Sequence, residues 1–297
     1  MEIREVGVVG CGLMGSGIAQ VIATAGYPTT VVEVSQELCD KGLRNIDQRL
    51  EKLAQKGALS AEQKSAIRGR LKGATDRSLL ANCDLVIEAV IENLEEKRKL
   101  WQSLDSIVKR DAILASNTSS LSITEMMMYT SRPDRFIGMH FFNPVPVLEL
   151  VEMSKTVATD PQVFETAVAF AEKLGKKPVR TTDAPGFIVN RLLIPYLLDA
   201  IRAFEEGIGS IADMDRAMKL GCGLPMGPFI LLDFIGLDTT YSIANILFEG
   251  FRERHYAPPS LLKRMVLAGW YGRKTGKGFY DYSDPSAPKP LDHLLRL

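Results

Sequence analysis

Residues 7–35 read GVVGCGLMGSGIAQVIATAGYPTTVVEVS, and the fold class follows from how this stretch divides. Residues 6–10 are a short β-branched run. Gly10, Gly12 and Gly15 then stand in a G-x-G-x-x-G pattern. An apolar-periodic helix runs on to Ala25, Gly26 closes it, and residues 29–34 read as a second strand. Strand, tight turn and helix are the context in which the glycines acquire a physical meaning. Gly10 permits the turn, Gly12 lets backbone approach a pyrophosphate, and Gly15 lets the helix pack on the strand. Leu13 and Met14 open that helix, whose unpaired N–H groups and dipole favour an anion. Glu33 ends the second strand, where a carboxylate hydrogen-bonds a ribose 2′-hydroxyl and repels a 2′-phosphate. The stretch therefore predicts a dinucleotide site that takes NAD rather than NADP.

Working outward, a long helix carries Leu43, Ile46, Leu50 and Leu53 on one face. A second helix starts at Ser60, where Ser60 and Gln63 form a capping box, so residues from about 36 to 71 make a helix-turn-helix excursion. Further strands are expected over residues 84–89, 112–116, 136–140, 148–152 and 178–182, with helices over 94–108 and 161–174. Such alternation implies an α/β fold, a Rossmann-type doubly wound and mostly parallel sheet. After the turn Asp183-Ala-Pro-Gly186 the chain reads as helix broken by glycine and proline. The boundary falls near Asp183: residues 1–183 form the dinucleotide-binding domain and 184–297 an all-helical C-terminal domain. The last stretch, residues 283–297, is expected to be loose or to lie on a neighbour.

Thirty-six basic residues cancel 36 acidic ones, which argues against a nucleic-acid binder or a membrane-surface protein. Cys11, Cys39, Cys83 and Cys222 are far apart and have no metal-ligand spacing, so they read as free thiols in a reducing compartment. The start MEIREVGVVG is not a signal peptide, and no apolar run reaches membrane-spanning length. A cytoplasmic protein is expected, with no metal and no membrane or nucleic-acid partner.

Ligands of a doubly wound sheet bind beyond the carboxyl ends of its strands. Asn117-Thr-Ser-Ser120 follows one such end, His140-Phe-Phe-Asn-Pro-Val-Pro146 another, and Glu152 closes a third strand. His140 alone of the three histidines has this placement; a structural histidine is the competing reading. Asn143 before a proline reads equally as a turn former, and Ser119 as the cap of a following helix. Asn190 and Arg191 interrupt an apolar helix, either as functional groups or as a buried polar pair near Pro195.

The blocks GCGLMGSGIAQ, VIEAVIENLEEK, ASNTSSL, RPDRFIGMHFFNPVPVLELVE, DAPGFIVNRLL and GRKTGKGFYDY appear in this order along nearly the whole chain. Together they resemble the 3-hydroxyacyl-CoA dehydrogenase family, close to its bacterial 3-hydroxybutyryl-CoA dehydrogenases. The resemblance implies that His140 is the general base and that Glu152 orients it. It further implies that Ser119 and Asn190 hold the substrate oxygen, with Ser119 also at the cofactor and the coenzyme A substrate. Asn143 would sit near the nicotinamide, and Glu92, Lys97 and Lys274 match cofactor contacts. A simple hairpin through residues 143–146 does not by itself set Glu152 opposite His140, so that pairing rests on the resemblance. Arg49 stands where the family pattern has a coenzyme A-contacting serine, while Lys56 keeps a basic residue one heptad later. Between Lys41 and Lys72 nine basic residues face three acids, and Arg49, Lys52 and Lys56 share one helical stripe. A solvated face is the plain reading of such a stripe; capture of an acyl-CoA is the functional one.

Two other functions compete. A dehydrogenase of small free hydroxy acids needs an arginine for the substrate carboxylate, and Arg191 is the candidate. A non-catalytic, crystallin-like dinucleotide-binding protein needs no general base. Residues 229–248 hold more apolar surface than a small helical domain readily covers, unless they pack on 187–201; with the family's habit, they predict a homodimer.

Overall fold

The computed structural model describes residues 2–295, which fall into two compact units divided between Phe187 and Ile188. In the first, the strands are β1 (Val6–Val9), β2 (Thr29–Val32), β3 (Leu71–Ala74), β4 (Leu85–Glu88), β5 (Ile113–Ser116), β6 (Phe136–Phe141), β7 (Leu150–Lys155) and β8 (Lys177–Thr182). They form one sheet in the order β3-β2-β1-β4-β5-β6-β7-β8. Every pairing is parallel except β6 with β7. The helices are α1 (Leu13–Thr24), α2 (Gln36–Gln55), α3 (Ala61–Gly69), α4 (Leu94–Ile107), α5 (Ile123–Met127) and α6 (Pro161–Lys173).

Side-chain alternation makes this a three-layer sandwich. Val6, Val8, Leu85, Ile87 and Ile113 face α1, α2 and α6, packing on Ile18, Ile22, Leu43, Ile46 and Val168. Val9, Val86 and Leu114 face the other way, onto Trp101 and Leu104 of α4 and Met126 of α5. β1 lies between β2 and β4, where the chain's winding reverses, and such a switch point opens a crevice at the carboxyl edge.

Several expectations are corrected. The excursion over 36–71 is the crossover to β3, a short strand whose half-polar LKGA sequence gave no apolar period. Ser60 and Gln63 do form the capping box of α3, but Leu53 is exposed, off the buried face of α2. Ser122, not Ser119, caps α5 by accepting from Glu125 N–H. The strand expected at 148–152 lies at Leu150–Lys155, because residues 142–149 form a loop in which Val147 and Leu148 N–H donate to the Pro144 carbonyl. Phe187 is buried in the first unit's core, so the division falls just past the turn at 183–186.

The second unit holds α7 (Val189–Glu205), α8 (Ile211–Cys222), α9 (Pro228–Ile235), α10 (Leu237–Phe251), α11 (Ser260–Leu267) and the pair β9 (Tyr280–Asp281) and β10 (Lys289–Pro290). Leu197, Leu198 and Ile201 of α7 pack with Phe229, Leu232 and Leu247, so much of the apolar 229–248 segment is covered within the unit. The tail is not loose: β10 pairs with β9 and Asp292 accepts from Ile211 N–H, while Arg296 and Leu297 lie outside the described residues. Among the described residues no single helix is long and apolar enough to cross a membrane.

Two buried aspartates organise this core. Asp215 accepts from Phe229 N–H (2.8 Å), Ile230 N–H (3.2 Å) and the Tyr280 hydroxyl (2.8 Å), tying down the start of α9. Asp233 accepts from Phe279 and Tyr280 N–H, each at 2.9 Å, and from the Tyr282 hydroxyl. A Cβ on Gly278 would lie 2.0 Å from Asp233, which is why glycine stands there. Burial pushes the Asp233 carboxyl up from 3.8 to about 6, its hydrogen bonds opposing and Asp215 adding to the rise.

The folded chain holds the Asp233 proton more tightly than the unfolded chain does. Its contribution is therefore complete below the unfolded value of 3.8 and is lost as pH rises through about 6. Thermal melts are expected to show wild type losing stability relative to Asp233→Asn between those pH values, by a difference of order 3 kcal/mol. Parallel pH profiles for the two proteins would contradict this.

Candidate active site

The carboxyl edge of the sheet is built from the turns after β1, β2, β4 and β5 and from the end of β6. At the first, Gly10 has φ +97°, and a Cβ there would meet the Ala89 carbonyl at 2.5 Å. A Cβ on Gly15 would lie 1.9 Å from the Gly10 carbonyl. These two glycines are required by the protein's own packing. Gly12 is different: a Cβ there meets nothing within 4 Å, so the protein's own packing does not require it and the turn is open to an approaching ligand. Gly12 is also the N-cap of α1, with no side-chain cap and no acid in the first turn, which leaves the helix end suited to a phosphate anion. Leu13 is exposed and Met14 half-buried beside it.

Glu33 does more than face outward. Its Oε1 accepts from Cys11 N–H at 2.8 Å and its Oε2 from Val34 N–H at 2.7 Å, so the carboxylate braces the glycine turn from β2. The cleft beside it, about 420 Å³, is lined by Gly10, Glu33, Val34, Asp76, Arg77 and Val90. Arg77 arrives from the far side of the helical crossover, where neighbourhood in sequence could not reveal it. The residues present fit a dinucleotide.

Beyond β4 and β5 lies a buried charge cluster. Lys97 is 1% exposed, and its Nζ donates to Glu88 Oε1 at 2.6 Å and lies 3.1 Å from Glu92 Oε2. Ser116 Oγ donates to the second oxygen of Glu88 at 2.6 Å. Glu92 accepts from the Thr118 hydroxyl, from Ser119 N–H (3.0 Å) and from Ser120 Oγ (3.1 Å). Burial alone would raise the Glu92 carboxyl, but Lys97 and these donors hold it below the usual range. Lys97 and Glu92 thus position the Ser119 loop. Glu88 was not anticipated; an acid ending a central apolar strand, nine residues before a lysine, is the signal that carries it.

At the end of β6, His140 is 7% exposed and packed against Phe142 and Phe187. It pairs across the antiparallel ladder with Glu152, and directly opposed residues share a face of the sheet. His140 Nδ1 lies 2.8 Å from Glu152 Oε2. Beside an ionised carboxylate, which only accepts, a neutral ring carries its proton on Nδ1 and leaves Nε2 as the basic nitrogen. This arrangement can take a proton from a hydroxyl group. Asn143 is exposed in the following loop.

The remaining candidates are placed as follows. Asn190 is half-buried near the start of α7, and Arg191 is exposed, its guanidinium stacked 4.2 Å over Phe251 rather than buried with Asn190. Lys274 lies in the second unit, its Nζ donating to Asp238 at 2.6 Å. Arg49 turns from α2 onto α1, its Nε donating to Gln20 at 2.6 Å and its Nη2 to Ser16 at 3.2 Å. Lys56 follows the end of α2 and is exposed, as are Lys41, Arg44 and Lys52 along α2 and Lys72 on β3, whereas Lys64 and Arg68 are paired with Glu51 and Asp47.

Comparison with known proteins identifies the family. The sequence pattern of the 3-hydroxyacyl-CoA dehydrogenase NAD binding domain matches residues 5–184, and that of the C-terminal domain matches residues 186–282. The chain belongs to the 3-hydroxyacyl-CoA dehydrogenase family. It is 47% identical to 3-hydroxybutyryl-CoA dehydrogenase of Bradyrhizobium diazoefficiens, over 94% of this chain and 96% of that one. It is 46% identical to human mitochondrial hydroxyacyl-coenzyme A dehydrogenase, over 94% and 91%. The crystal structure of (S)-3-hydroxybutyryl-CoA dehydrogenase from Ralstonia eutropha superposes with a TM-score of 0.93 at 43% identity, covering 95% of this chain and all of that one. The protein is thus an NAD-dependent oxidoreductase with a Rossmann-type NAD domain and a helical C-terminal domain.

The two kinds of glycine separate in a test. Gly15→Ala is expected to cost ~2 kcal/mol of stability through overpacking. Gly12→Ala should melt near wild type but bind NAD at least about tenfold more weakly, ~1.4 kcal/mol. Titration calorimetry with thermal melts checks both, and unchanged NAD affinity in Gly12→Ala would remove the pyrophosphate from that turn.

Proposed function

We propose that the protein oxidises (S)-3-hydroxyacyl-CoA, with 3-hydroxybutyryl-CoA as its substrate, reversibly to the 3-oxoacyl-CoA. The observation that carries this reading is the hydrogen-bonded His140–Glu152 pair on the same sheet edge as the dinucleotide turn. His140 Nε2 takes the proton of the 3-hydroxyl as its C–H bond breaks, and Glu152 holds the ring and stabilises its charged form. Bound NAD supplies the hydride acceptor. Ser119 and Asn190 are assigned to the substrate oxygen, Asn143 to the nicotinamide, and Glu33, Glu92, Lys97 and Lys274 to binding or shaping the cofactor site. Lys56 and the exposed basic residues around it are assigned to the coenzyme A phosphates, with Arg49 shaping the surface between α1 and α2.

The rival readings lose support at particular residues. Arg191, the one candidate for meeting a free carboxylate, is an exposed residue of the second unit stacked over Phe251. A non-catalytic protein would have no use for a carboxylate-oriented histidine. We further propose a cytoplasmic homodimer. The four unpaired cysteines favour the compartment, and exposed Leu192, Leu220 and Phe234 favour an interface on the second unit.

His140→Gln is expected to lower kcat by ~10²–10⁴-fold with little change in NAD affinity, and Glu152→Gln to lower it less. Steady-state kinetics with NAD titrations decide this; a His140→Gln enzyme that keeps most of its turnover would leave His140 without the role. For the substrate, kcat/KM for 3-hydroxybutyryl-CoA should greatly exceed that for free 3-hydroxybutyrate, because binding of the remote nucleotide holds the reacting end in place. Lys56→Glu and raised salt should each weaken the former. Equal values for the two substrates would favour the free-acid dehydrogenase.

A further inference from the structure

Lys176 stands in the turn between α6 and β8 and is 8% exposed. Its Nζ donates to two main-chain carbonyls, Val145 O at 2.5 Å and Leu148 O at 2.8 Å. It makes no ion pair among the described residues, since the nearby Glu149 carboxylate is taken by Lys177. Burial accordingly pulls the Lys176 ammonium below its ordinary pKa. Keeping a charged group out of water for carbonyls alone is costly, and an apolar side chain would fill the space without that cost.

What the ammonium holds is the loop between β6 and β7. A tight hairpin through residues 143–146 would set Glu149, not Glu152, opposite His140. The eight residues 142–149 delay the return of the chain, and the ladder then pairs His140 with Glu152. At its start the loop is tied by Phe141 N–H donating to Asn117 Oδ1 at 2.9 Å. In its middle Val145 is 2% exposed and seated on α1 at Gly17, where a Cβ would come within 2.9 Å of it. Lys176 closes the remaining side, joining the middle of the loop to its end.

We propose that Lys176 is a positioning residue for the reaction: seated on the Val145 and Leu148 carbonyls, it holds loop 142–149 in the form that sets Glu152 across from His140 and presents Asn143 at the carboxyl edge. This rests on the reading of His140 as the base.

The test is Lys176→Met, nearly matched in length and unable to donate, assayed as full-length enzyme with NAD and 3-hydroxybutyryl-CoA. Turnover is expected to fall by about 10- to 100-fold, the scale of a small misplacement of reacting groups. The dissociation constant for NAD should stay near the parent value, because the glycine turn and Glu33 are held independently. In a His140→Gln background the same change should add little further loss, since positioning an absent base has no value. Parental turnover in Lys176→Met, or an equal loss in both backgrounds, would overturn the proposal. Parental turnover in His140→Gln alone would instead overturn the assignment of the base. If Lys176→Met does not yield folded protein, Lys176→Leu, likewise unable to donate, carries the same comparison.

Discussion

The hydrogen bond from His140 Nδ1 to Glu152 exists because one strand pair in the sheet runs antiparallel. In an all-parallel sheet each chain segment meets the carboxyl edge only at its strand end, so two functional side chains there come from separate loops. Here β7 returns alongside β6, and the backbone ladder itself sets a carboxylate beside the imidazole. A slip of one residue in that ladder would turn Glu152 to the opposite face. The imidazole is therefore oriented by register, and whatever fixes the β6–β7 loop fixes the geometry of the pair.

Burial raises what is at stake in each of these polar contacts. Glu152, Glu88 and Lys97 are 1% exposed or less, and a charge so far from water must be matched by partners or it will not stay charged. The Glu88–Lys97–Glu92 cluster meets this demand by linking β4, α4 and the loop after β5. Buried ion pairs are weak evidence for stability, because desolvation offsets much of their attraction. Their effect here is geometric: the Ser119 backbone is held by a carboxylate that Lys97 keeps ionised.

The dinucleotide half of the site was legible from the sequence because its constraints are local. Glycines, helix start and Glu33 lie within one β–α–β unit, where spacing converts directly into position. The distinction between Gly12, open to a ligand, and Gly15, packed on Gly10, was contained in the motif. The His140–Glu152 pairing was not, because loop length sets register and the turn signal at Asn143-Pro144 does not say how many residues the loop spans. β3 escaped notice since four residues with a glycine and a lysine show no period. Arg77 and Lys176 reach the site area only through tertiary contacts. Ser119 was open to reading as a cap as well as a substrate contact because three serines crowd the same turn, and only the backbone decides that Ser122 caps α5.

The same physics shapes carboxylates of both units, Asp215 and Asp233 buried, Glu33 and Asp183 half-buried. Glu33 accepts from Cys11 N–H, Asp183 from the first N–H groups of α5, Asp215 from those of α9, and Asp233 from Phe279 and Tyr280. Each carboxylate replaces a missing main-chain acceptor where a strand or helix begins, and so fixes a segment that no ladder reaches. Each of Asp215 and Asp233 also needs a glycine beside it, Gly227 against the first, Gly272 and Gly278 against the second, because a Cβ would occupy the acid's place. The block GRKTGKGFYDY thereby acquires a physical reading. Its Gly272 and Gly278 admit Asp233, its Tyr280 and Tyr282 hydroxyls complete the two carboxylates, and Phe279 packs in the core. Without a glycine to admit it or a donor to meet it, either acid would be an unpaired buried charge. Acid, glycine and tyrosine therefore form one unit of constraint, although more than sixty residues separate Asp215 from Tyr280.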